Sequence, residues 1–334
     1  MKMVSLLSVL LLTSVSVSTA TTQAVFAPPP TASGPTVAEH VILFVLEGVD
    51  QQALKVGPMP VLAGIVKEGA VTWSAQTITP PLRLPAMASL LTGLPVDKHG
   101  VTWEAFEFSR GYPRPPTIFD YLDLSGGRDS AIFFMDEALY QLAKPEPYTD
   151  YQMCGQLKPE CSPERLVSYI KQYFNKAVSG HGYGHAVLAL PHLLVVHLPE
   201  RSRAGSTHGW SSKEHRQALR SVDQAMGSVL AMFKEHGLLA RTTVFVTSLN
   251  GTGGAQSSTA TAPAVSVSST VPWIASGAGI RPGHIIRQPV SILDTGATVM
   301  RTFGLTTHTE WDGRPIEEIF RHQPAIPAGL RKER

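Results

Sequence analysis

The feature that most constrains the fold is the alternation of short apolar runs with segments of helical spacing. The first run, 41–47, is continuously apolar up to its last residue, as in strands that are buried on both faces. Strands are predicted at 41–47, 130–136, 192–198, 242–248 and 271–277. Helices are predicted at 59–69, 84–93, 162–177, 211–237 and 291–304. This alternation predicts an α/β three-layer sandwich with a mostly parallel central sheet.

Composition agrees with a globular chain and excludes several classes of protein. The 334 residues are 43% hydrophobic, which is enough for a large core in one or two domains. Charged residues make up only 16%, which argues against a disordered or coiled-coil protein. The net charge is +2, and the one dense basic cluster is 331–334, so we expect no nucleic-acid partner.

The N-terminus has the pattern of a secretory signal. Lys2 precedes an apolar stretch at 4–12, and small residues follow, so residues 1–24 are predicted to be a signal peptide. The apolar stretch is too short for a membrane span, although an uncleaved anchor remains the alternative. The remaining parts are predicted as a Pro/Ala/Ser linker at 25–38, one folded domain at 39–325 and a basic tail at 326–334. We therefore expect a secreted protein, extracellular or periplasmic, with no membrane span in the mature chain.

The chain has two cysteines, Cys154 and Cys161, seven positions apart. In an exported protein such a pair is expected to form one disulfide that closes a short loop. A zinc site would need more ligands than this pair supplies.

Ligand sites in sheets of this type lie beyond the carboxyl ends of the strands. Four places in the sequence meet that condition: Glu47, 77–85, 199–210 and 248–258. Glu47 ends a buried strand and is followed by Gly48, so this acid is predicted to lie at a site.

Five segments, in a fixed order, resemble the alkaline phosphatase superfamily, and the similarity is strongest to the type I phosphodiesterase/nucleotide pyrophosphatase branch. The segments are 84–103, 203–210, 271–284, 291–299 and 311–320, and the resemblance covers most of 40–320. It implies an alkaline-phosphatase-like fold. In active members, two zinc ions held by Asp and His would clamp the attacking and leaving oxygens, and a Thr or Ser would attack phosphorus.

The resemblance also shows where this chain departs from the family pattern. Glu47 stands at the first metal-binding Asp, Arg83 at the nucleophile and Glu104 at the Asn that helps to bind the phosphoryl group. A guanidinium has no lone pair with which to attack and stays protonated. A carboxylate at position 104 is expected to repel a phosphate.

The other zinc-ligand positions of the family are also changed. They correspond to Ser202, Ser206, Leu249, Asn250 and Gln256. Leucine cannot ligate a metal, and Ser, Asn and Gln are weak neutral ligands beside carboxylate and imidazole. The sequence therefore predicts no cofactor, no metal and no catalytic residue, with these positions forming a vestigial pocket in which Arg83 pairs with Glu47 or Glu104 in place of the metals.

Several histidines and one asparagine keep alternative interpretations open. Glu200 with His208 is a candidate relocated ligand pair, whereas His181 and His185 have metal-ligand spacing but favour a surface turn. His99 and Ser89 lie in a matched segment, where the resemblance implies a structural role. Asn250 begins the sequon 250–252, a candidate glycosylation site.

The leading interpretation is a secreted, catalytically inactive homologue that acts as a binding or scaffolding protein. Its partner is undetermined, and both an anionic small molecule and a protein remain open, since the planar Arg83 guanidinium suits phosphate or carboxylate. One alternative is a metal-dependent phosphodiesterase with atypical ligands. Another is a metal-free hydrolase that would use Ser202, Ser206, His208 and Glu200.

Overall fold

The chain forms an α/β sandwich, seen in a computed structural model that describes residues 29–51, 53–56, 59–111, 115–143, 150–153, 161–179, 190–252 and 267–321. The strands are β1 (His40–Leu46), β2 (Ala70–Gln76), β3 (Ser130–Phe134), β4 (Asp150–Met153), β5 (Leu193–Leu198), β6 (Thr242–Ser248), β7 (Gly251–Thr252), β8 (Val267–Ser268), β9 (Thr270–Gly277) and β10 (His284–Ile285). The helices are α1 (Ala53–Val56), α2 (Pro60–Lys67), α3 (Arg83–Thr92), α4 (Val96–His99), α5 (Ile118–Asp123), α6 (Tyr140–Ala143), α7 (Pro163–Val178), α8 (Glu200–His208), α9 (Lys213–Glu235) and α10 (Asp294–Thr302). Short 3-10 helices lie at Phe108–Arg110, Glu137–Leu139, Leu239–Arg241 and Glu317–Ile319.

The central sheet has the strand order β10-β2-β9-β6-β1-β5-β3-β4. β1 lies between β5 and β6 and is parallel to both. β9 is antiparallel to its neighbours β2 and β6, while the other pairs in the sheet are parallel. The predicted mostly parallel sheet is thereby confirmed.

Side chains of β1 alternate between two cores, which explains its continuous apolar sequence. Val41, Leu43 and Val45 pack on one face with apolar residues of α3, α5 and α10. Ile42 and Phe44 face the other way, toward α2, α7 and α9. A strand buried on both faces needs apolar side chains at every position, so the pattern of period two is absent.

The five predicted strands and five predicted helices all form, within a few residues of their predicted ends. Of the elements that were not predicted, β2 and α8 are the longest. β2 has a half-exposed C-terminal end and lacks the apolar run by which the other strands were found. α8 occupies most of the segment 199–210, for which we predicted a position after a strand but no helix, and only Arg201 and Gly205 of this helix are buried.

Part of the segment interpreted as a linker is attached to the domain. The amide of Ser33 donates to the carbonyl of Gly304 (2.8 Å), and that of Val37 to Thr302 (2.8 Å). The signal peptide, Cys154, His181, His185, Gln256 and the basic tail lie outside the described residues, so the disulfide remains a prediction. Within the described ranges, no helix combines the length and the hydropathy needed to cross a membrane.

Candidate functional site

Glu47 lies at the carboxyl edge of the sheet, one residue beyond β1. Its carboxylate is buried, and Oε1 accepts a hydrogen bond from Nε2 of His197 at 2.8 Å. His197 lies on β5, whose register pairs it with Val45, so the two parallel strands bring the acid and the imidazole together. Gly48 follows with φ +67°, and a Cβ there would lie 3.2 Å from the ring of Trp210, so this turn requires glycine.

Arg83 is the first residue of α3 and connects two carboxylates. Its Nε forms an ion pair with Oε1 of Glu47 at 3.1 Å, and its Nη1 contacts the carboxylate of Asp136. Asp136 follows β3, and its other oxygen accepts from the amide of Ala138 at 2.9 Å, which fixes its orientation. Arg83, which the resemblance aligns with the nucleophile of the family, is therefore a cation with two anionic partners.

The charges around Glu47 determine its ionisation. Burial raises the pKa of Glu47, but the hydrogen bond from His197 and the positive charges of Arg83 and Arg203 outweigh it, so the pKa falls below its ordinary value. Burial lowers the pKa of His197, and the two guanidinium groups lower it further, against the opposing effect of Glu47. The site thus holds an ionised glutamate beside a neutral histidine at pH 7.

Arg203, on α8, is the second guanidinium near the site. It donates to the carbonyl of Met135 and forms an ion pair with Glu200 at 3.2 Å. Burial raises the pKa of Glu200, an effect that Arg203 partly offsets. Glu200, Arg203 and His208 line a cleft of about 570 Å³ between α7, α8 and α9.

The carboxylate of Glu104 contacts backbone amides, whereas the resemblance implied that it would repel a phosphate. Its two carboxylate oxygens accept from the backbone amides of Arg83 (3.2 Å) and Leu84 (3.1 Å). These are orphan donors at the start of α3, where a carboxylate also interacts favourably with the helix dipole. Glu104 therefore contacts the backbone of Arg83. Of the two side-chain partners predicted for Arg83, the structure shows Glu47.

The other described positions that the resemblance aligns with metal ligands make ordinary structural contacts. Ser206 is exposed, and its hydroxyl donates to the carbonyl of Arg203 (3.0 Å), while Ser202 is half-buried on the same helix. Leu249 is fully buried in the core. Asn250 is 8% exposed, and its Oδ1 accepts from the amide of Gly48 (2.7 Å), an environment that leaves little room for a glycan.

These residues do not fit a two-zinc centre. Glu47 is already shared by His197 and Arg83, Asn250 supports the turn at Gly48, and Leu249 offers no donor. Across the described part of the chain, no group of three or more His, Cys, Asp or Glu side chains is placed to hold a metal ion. Glu200 and His208 line one cleft together with Glu164 and Glu214, but no three of these side chains are placed to hold a metal ion.

The alternative of a serine hydrolase finds no support in the hydrogen bonds of α8. The Ser206 hydroxyl bonds to the backbone within its own helix, and no hydrogen bond joins Ser202 or Ser206 to His208 among the described contacts. A nucleophile–base pair would need such a contact. The three residues lie on one helix but do not form a catalytic arrangement.

Ser89 and His99 form a buried pair away from this edge. The amide of Val101 donates to Nδ1 of His99 (3.0 Å), so Nε2 carries the proton and donates to the hydroxyl of Ser89 (2.9 Å). Burial lowers the pKa of His99 to about 4. The pair joins α3 to α4 as a neutral structural contact.

Sequence reasoning missed three members of the site: His197, Asp136 and Arg203. Asp136 ends an apolar strand just as Glu47 does, so the rule that selected Glu47 would have selected it. His197 interrupts an otherwise apolar strand one position before its end, which is a weaker signal. Arg203 could be identified only once 199–210 was known to be helical.

Comparisons with known proteins agree with this fold. The family described as "Type I phosphodiesterase / nucleotide pyrophosphatase" matches residues 41–266. A curated relative, sulfatase ppz1 of Metarhizium majus (strain ARSEF 297), is 33% identical over 103 residues, which are 30% of this chain and 24% of that protein.

Solved structures share the architecture at low identity. Human ectonucleotide pyrophosphatase/phosphodiesterase 5 superposes with a TM-score of 0.64 at 13% identity, over 85% of this chain and 100% of that one. The murine protein of the same name gives 0.62 at 13% identity, over 84% and 100%. The phosphonate monoester hydrolase of Silicibacter pomeroyi gives 0.54 at 14% identity, over 86% and 78%. These likenesses establish an alkaline-phosphatase-like fold, and with the family match over 41–266 the chain belongs to the type I phosphodiesterase/nucleotide pyrophosphatase family.

Proposed function

We propose that this family member is an exported, non-catalytic protein that works by binding. The observation that carries the proposal is Arg83, which stands at the family's nucleophile position and is held between Glu47 and Asp136. A guanidinium cannot attack phosphorus, because it has no free lone pair and remains protonated. Export is supported by the signal-like sequence at 1–24.

The ion pairs also account for how the pocket is stable without metal. Carboxylates that lie close together in a partly buried pocket repel one another and are costly to ionise. Here Arg83 neutralises Glu47 and Asp136, and Arg203 neutralises Glu200. The two guanidinium groups take over the charge balance that two zinc ions supply in active relatives.

The same pairing favours a protein partner over an anionic small molecule at this edge. An anion that bound Arg83 would have to compete with two carboxylates already in contact with it. Beside the site, the side chains of Leu82, Phe106 and Phe108 are 37%, 40% and 89% exposed. A contiguous apolar patch is typical of a protein-interaction surface, and we propose that these three residues contribute to one.

The proposal is tested by metal content and turnover. The purified full chain is dialysed against trace zinc, analysed for bound metal and assayed with a chromogenic phosphodiester and a phosphomonoester. We expect no stoichiometric zinc and no turnover. We also expect none for Arg83→Thr, which restores a hydroxyl but not the missing ligands.

About two zinc ions per chain together with turnover that a chelator abolishes and that Glu47→Ala removes would overturn the proposal. A serine-directed covalent probe tests the metal-free alternative, and labelling at Ser202 or Ser206 would support that alternative instead. N-terminal sequencing of the secreted product tests export and locates the mature N-terminus.

A further inference from the structure

A second polar cavity lies at the opposite end of the sheet from Glu47. Its volume is about 450 Å³, within the range of small-molecule sites, and it opens where β1, β3 and β5 begin. β1 carries His40 at this end and Glu47 just past the other, roughly 23 Å apart at the rise of a strand. The cavity is lined by Thr36, Ala38, Glu39, His40, Ser125, Gly126, Gly127, Arg128, His192 and Phe303.

Two stacked histidines form one wall, and their backbone contacts fix which ring nitrogens are donors. Nδ1 of His40 lies 2.9 Å from the carbonyl of Pro191, which can only accept, so Nδ1 donates, and in that tautomer Nε2 is an acceptor. His192 has the reverse arrangement, because its Nδ1 accepts from the amide of Asp129 at 3.1 Å and its Nε2 therefore carries a proton.

Of the two rings, His40 gives the stronger indication of a bound ligand. It is only 8% exposed, yet Nε2 has no hydrogen-bond partner among the described residues. The rings are 5.9 Å apart and nearly parallel, so His40 and His192 present an acceptor and a donor side by side. Burial lowers the pKa of His192, so its ring is neutral at pH 7.

Arg128 is held in place beside this wall. Its Nη1 donates to the carbonyl (3.1 Å) and the hydroxyl (2.8 Å) of Ser125, and the guanidinium lies 5.8 Å from the ring centroid of Phe303. These contacts occupy one nitrogen of the fork and leave others for a ligand. A guanidinium fixed in advance loses little side-chain entropy on binding an oxyanion.

Two carboxylates lie near the cavity, those of Glu39 and Asp129. Glu39 pairs with Arg241. Asp129 lies 3.7 Å from Nδ1 of His192, on the side of that ring away from Nε2. With Glu39 paired to Arg241, Arg128 is the charged group available to an oxyanion, although Asp129 will weaken the attraction.

We propose that this cavity binds a phosphate group that carries a proton. Its unprotonated oxygens would accept from Arg128 and from Nε2 of His192, and its P–OH would donate to Nε2 of His40. Fully ionised sulfate has the same size but no proton to donate, so it would leave the His40 acceptor unpaired, at a cost. The cavity is larger than one phosphate and leaves space for the organic part of a small monoester.

The test is calorimetric titration and thermal shift of the full chain at pH 7 and constant ionic strength, with inorganic phosphate, glycerol 3-phosphate and sulfate. We expect phosphate to bind and to raise Tm, and sulfate to bind at least about tenfold more weakly. Glycerol 3-phosphate distinguishes a site for free phosphate from a site for an ester. Arg128→Gln is expected to weaken phosphate binding by about tenfold or more.

Arg287→Gln is the matched control, because it removes the same charge from an exposed position outside the cavity. If Arg128→Gln fails to fold by circular dichroism, His192→Asn replaces it, since the amide oxygen can still accept from Asp129 while the Nε2 donor is lost. Absence of heat and of a Tm shift with phosphate, or equal responses to phosphate and sulfate that Arg128→Gln leaves unchanged, would overturn the proposal. None of these outcomes depends on whether the edge at Glu47 is catalytic.

Discussion

The two ends of α3 carry family positions with opposite outcomes. Toward its C-terminal end, Ser89 keeps its hydrogen bond to His99, in a fully buried and neutral contact. At its first residue, Arg83, which the resemblance aligns with the nucleophile of the family, pairs with Glu47 and Asp136 at the edge of the sheet. One helix therefore joins a region that matches the family to a region that departs from it.

The difference follows from what each region depends on. The Ser89–His99 contact is satisfied within the protein, and the loss of either member would leave a buried polar group unpaired. The edge around Glu47 depends, in active relatives, on ions from outside. With uncharged residues at 202, 206 and 249, the acids Glu47 and Asp136 are stabilised by the positive side chain of Arg83. The fold of the family is thus compatible with a different set of charges at this edge.

The largest effect is expected at Glu47. Glu47→Ala removes the anion that both Arg83 and His197 contact at a buried position. Removing one partner of a buried pair typically costs about 3–5 kcal/mol, since the other partner is left uncompensated. Urea denaturation gives the free energy of unfolding, and Glu47→Gln, which keeps the shape and an acceptor, should lose less. A loss below about 1 kcal/mol for Glu47→Ala would show that the network does not stabilise the edge.

The pH dependence of stability should separate the two regions. The pKa of His99 is about 4 in the folded protein against 6.5 as its ordinary value, so the unfolded chain binds the proton first as the pH falls. His99 therefore costs stability progressively from pH 6.5 down to about 4, by roughly 2–3 kcal/mol. The pKa of Glu47 is lowered, so its stabilising contribution is present above pH 4.5 and is lost as the pH falls below that value.

His99→Gln tests this separation, because glutamine can still donate to Ser89 but does not titrate. The slope of unfolding free energy against pH between 4.5 and 6.5 should fall by about 1.4 kcal/mol per pH unit. This value corresponds to a difference of one bound proton between the unfolded and folded states. His208→Gln, at an exposed position on α8, should leave the slope unchanged. Equal slopes in all three proteins would contradict the assignment.

Arg83→Met should have a smaller effect than Glu47→Ala. The methionine keeps apolar bulk but removes the cation between Glu47 and Asp136. The Arg83 side chain is 36% exposed, so solvent screens part of the interaction, and we expect a loss of about 1–2 kcal/mol at pH 7. The loss should shrink below pH 4.5, as Glu47 becomes protonated. A variant as stable as the parent at pH 7 would remove the support for Arg83 as a substitute for metal charge.

The fold could be predicted from the sequence because most strands of this sheet are buried and contain runs of apolar residues. β1, β3 and β5 are apolar along most of their length, and β6 has an apolar centre at 244–246, so each could be recognised alone. β2 was missed because its half-exposed end breaks the apolar run. The antiparallel direction of β9 could not be read either, since an apolar run does not encode strand direction.

The site was less predictable, because its contacts join elements that are distant in sequence. Glu47 and Arg83 could be identified from the family pattern, and their pairing was correctly expected. The partners Asp136 and His197 lie 53 and 150 positions from the residues they contact, and only the strand order brings them together. The role of Glu104 was not predicted, because the sequence does not show whether a glutamate caps a helix or faces a pocket.

The smallest effect is expected at a position where the family has a metal ligand. Ser206→Ala removes an exposed hydroxyl that bonds only to the carbonyl of Arg203 within its own helix. Exposed substitutions of this kind usually change the free energy of unfolding by less than about 0.5 kcal/mol. Zinc should leave the Tm of both parent and variant unchanged, because only binding to the native state would raise it. If zinc stabilised the parent but not Ser206→Ala, position 206 would still be a metal ligand, and the contrast between the two ends of α3 would fail.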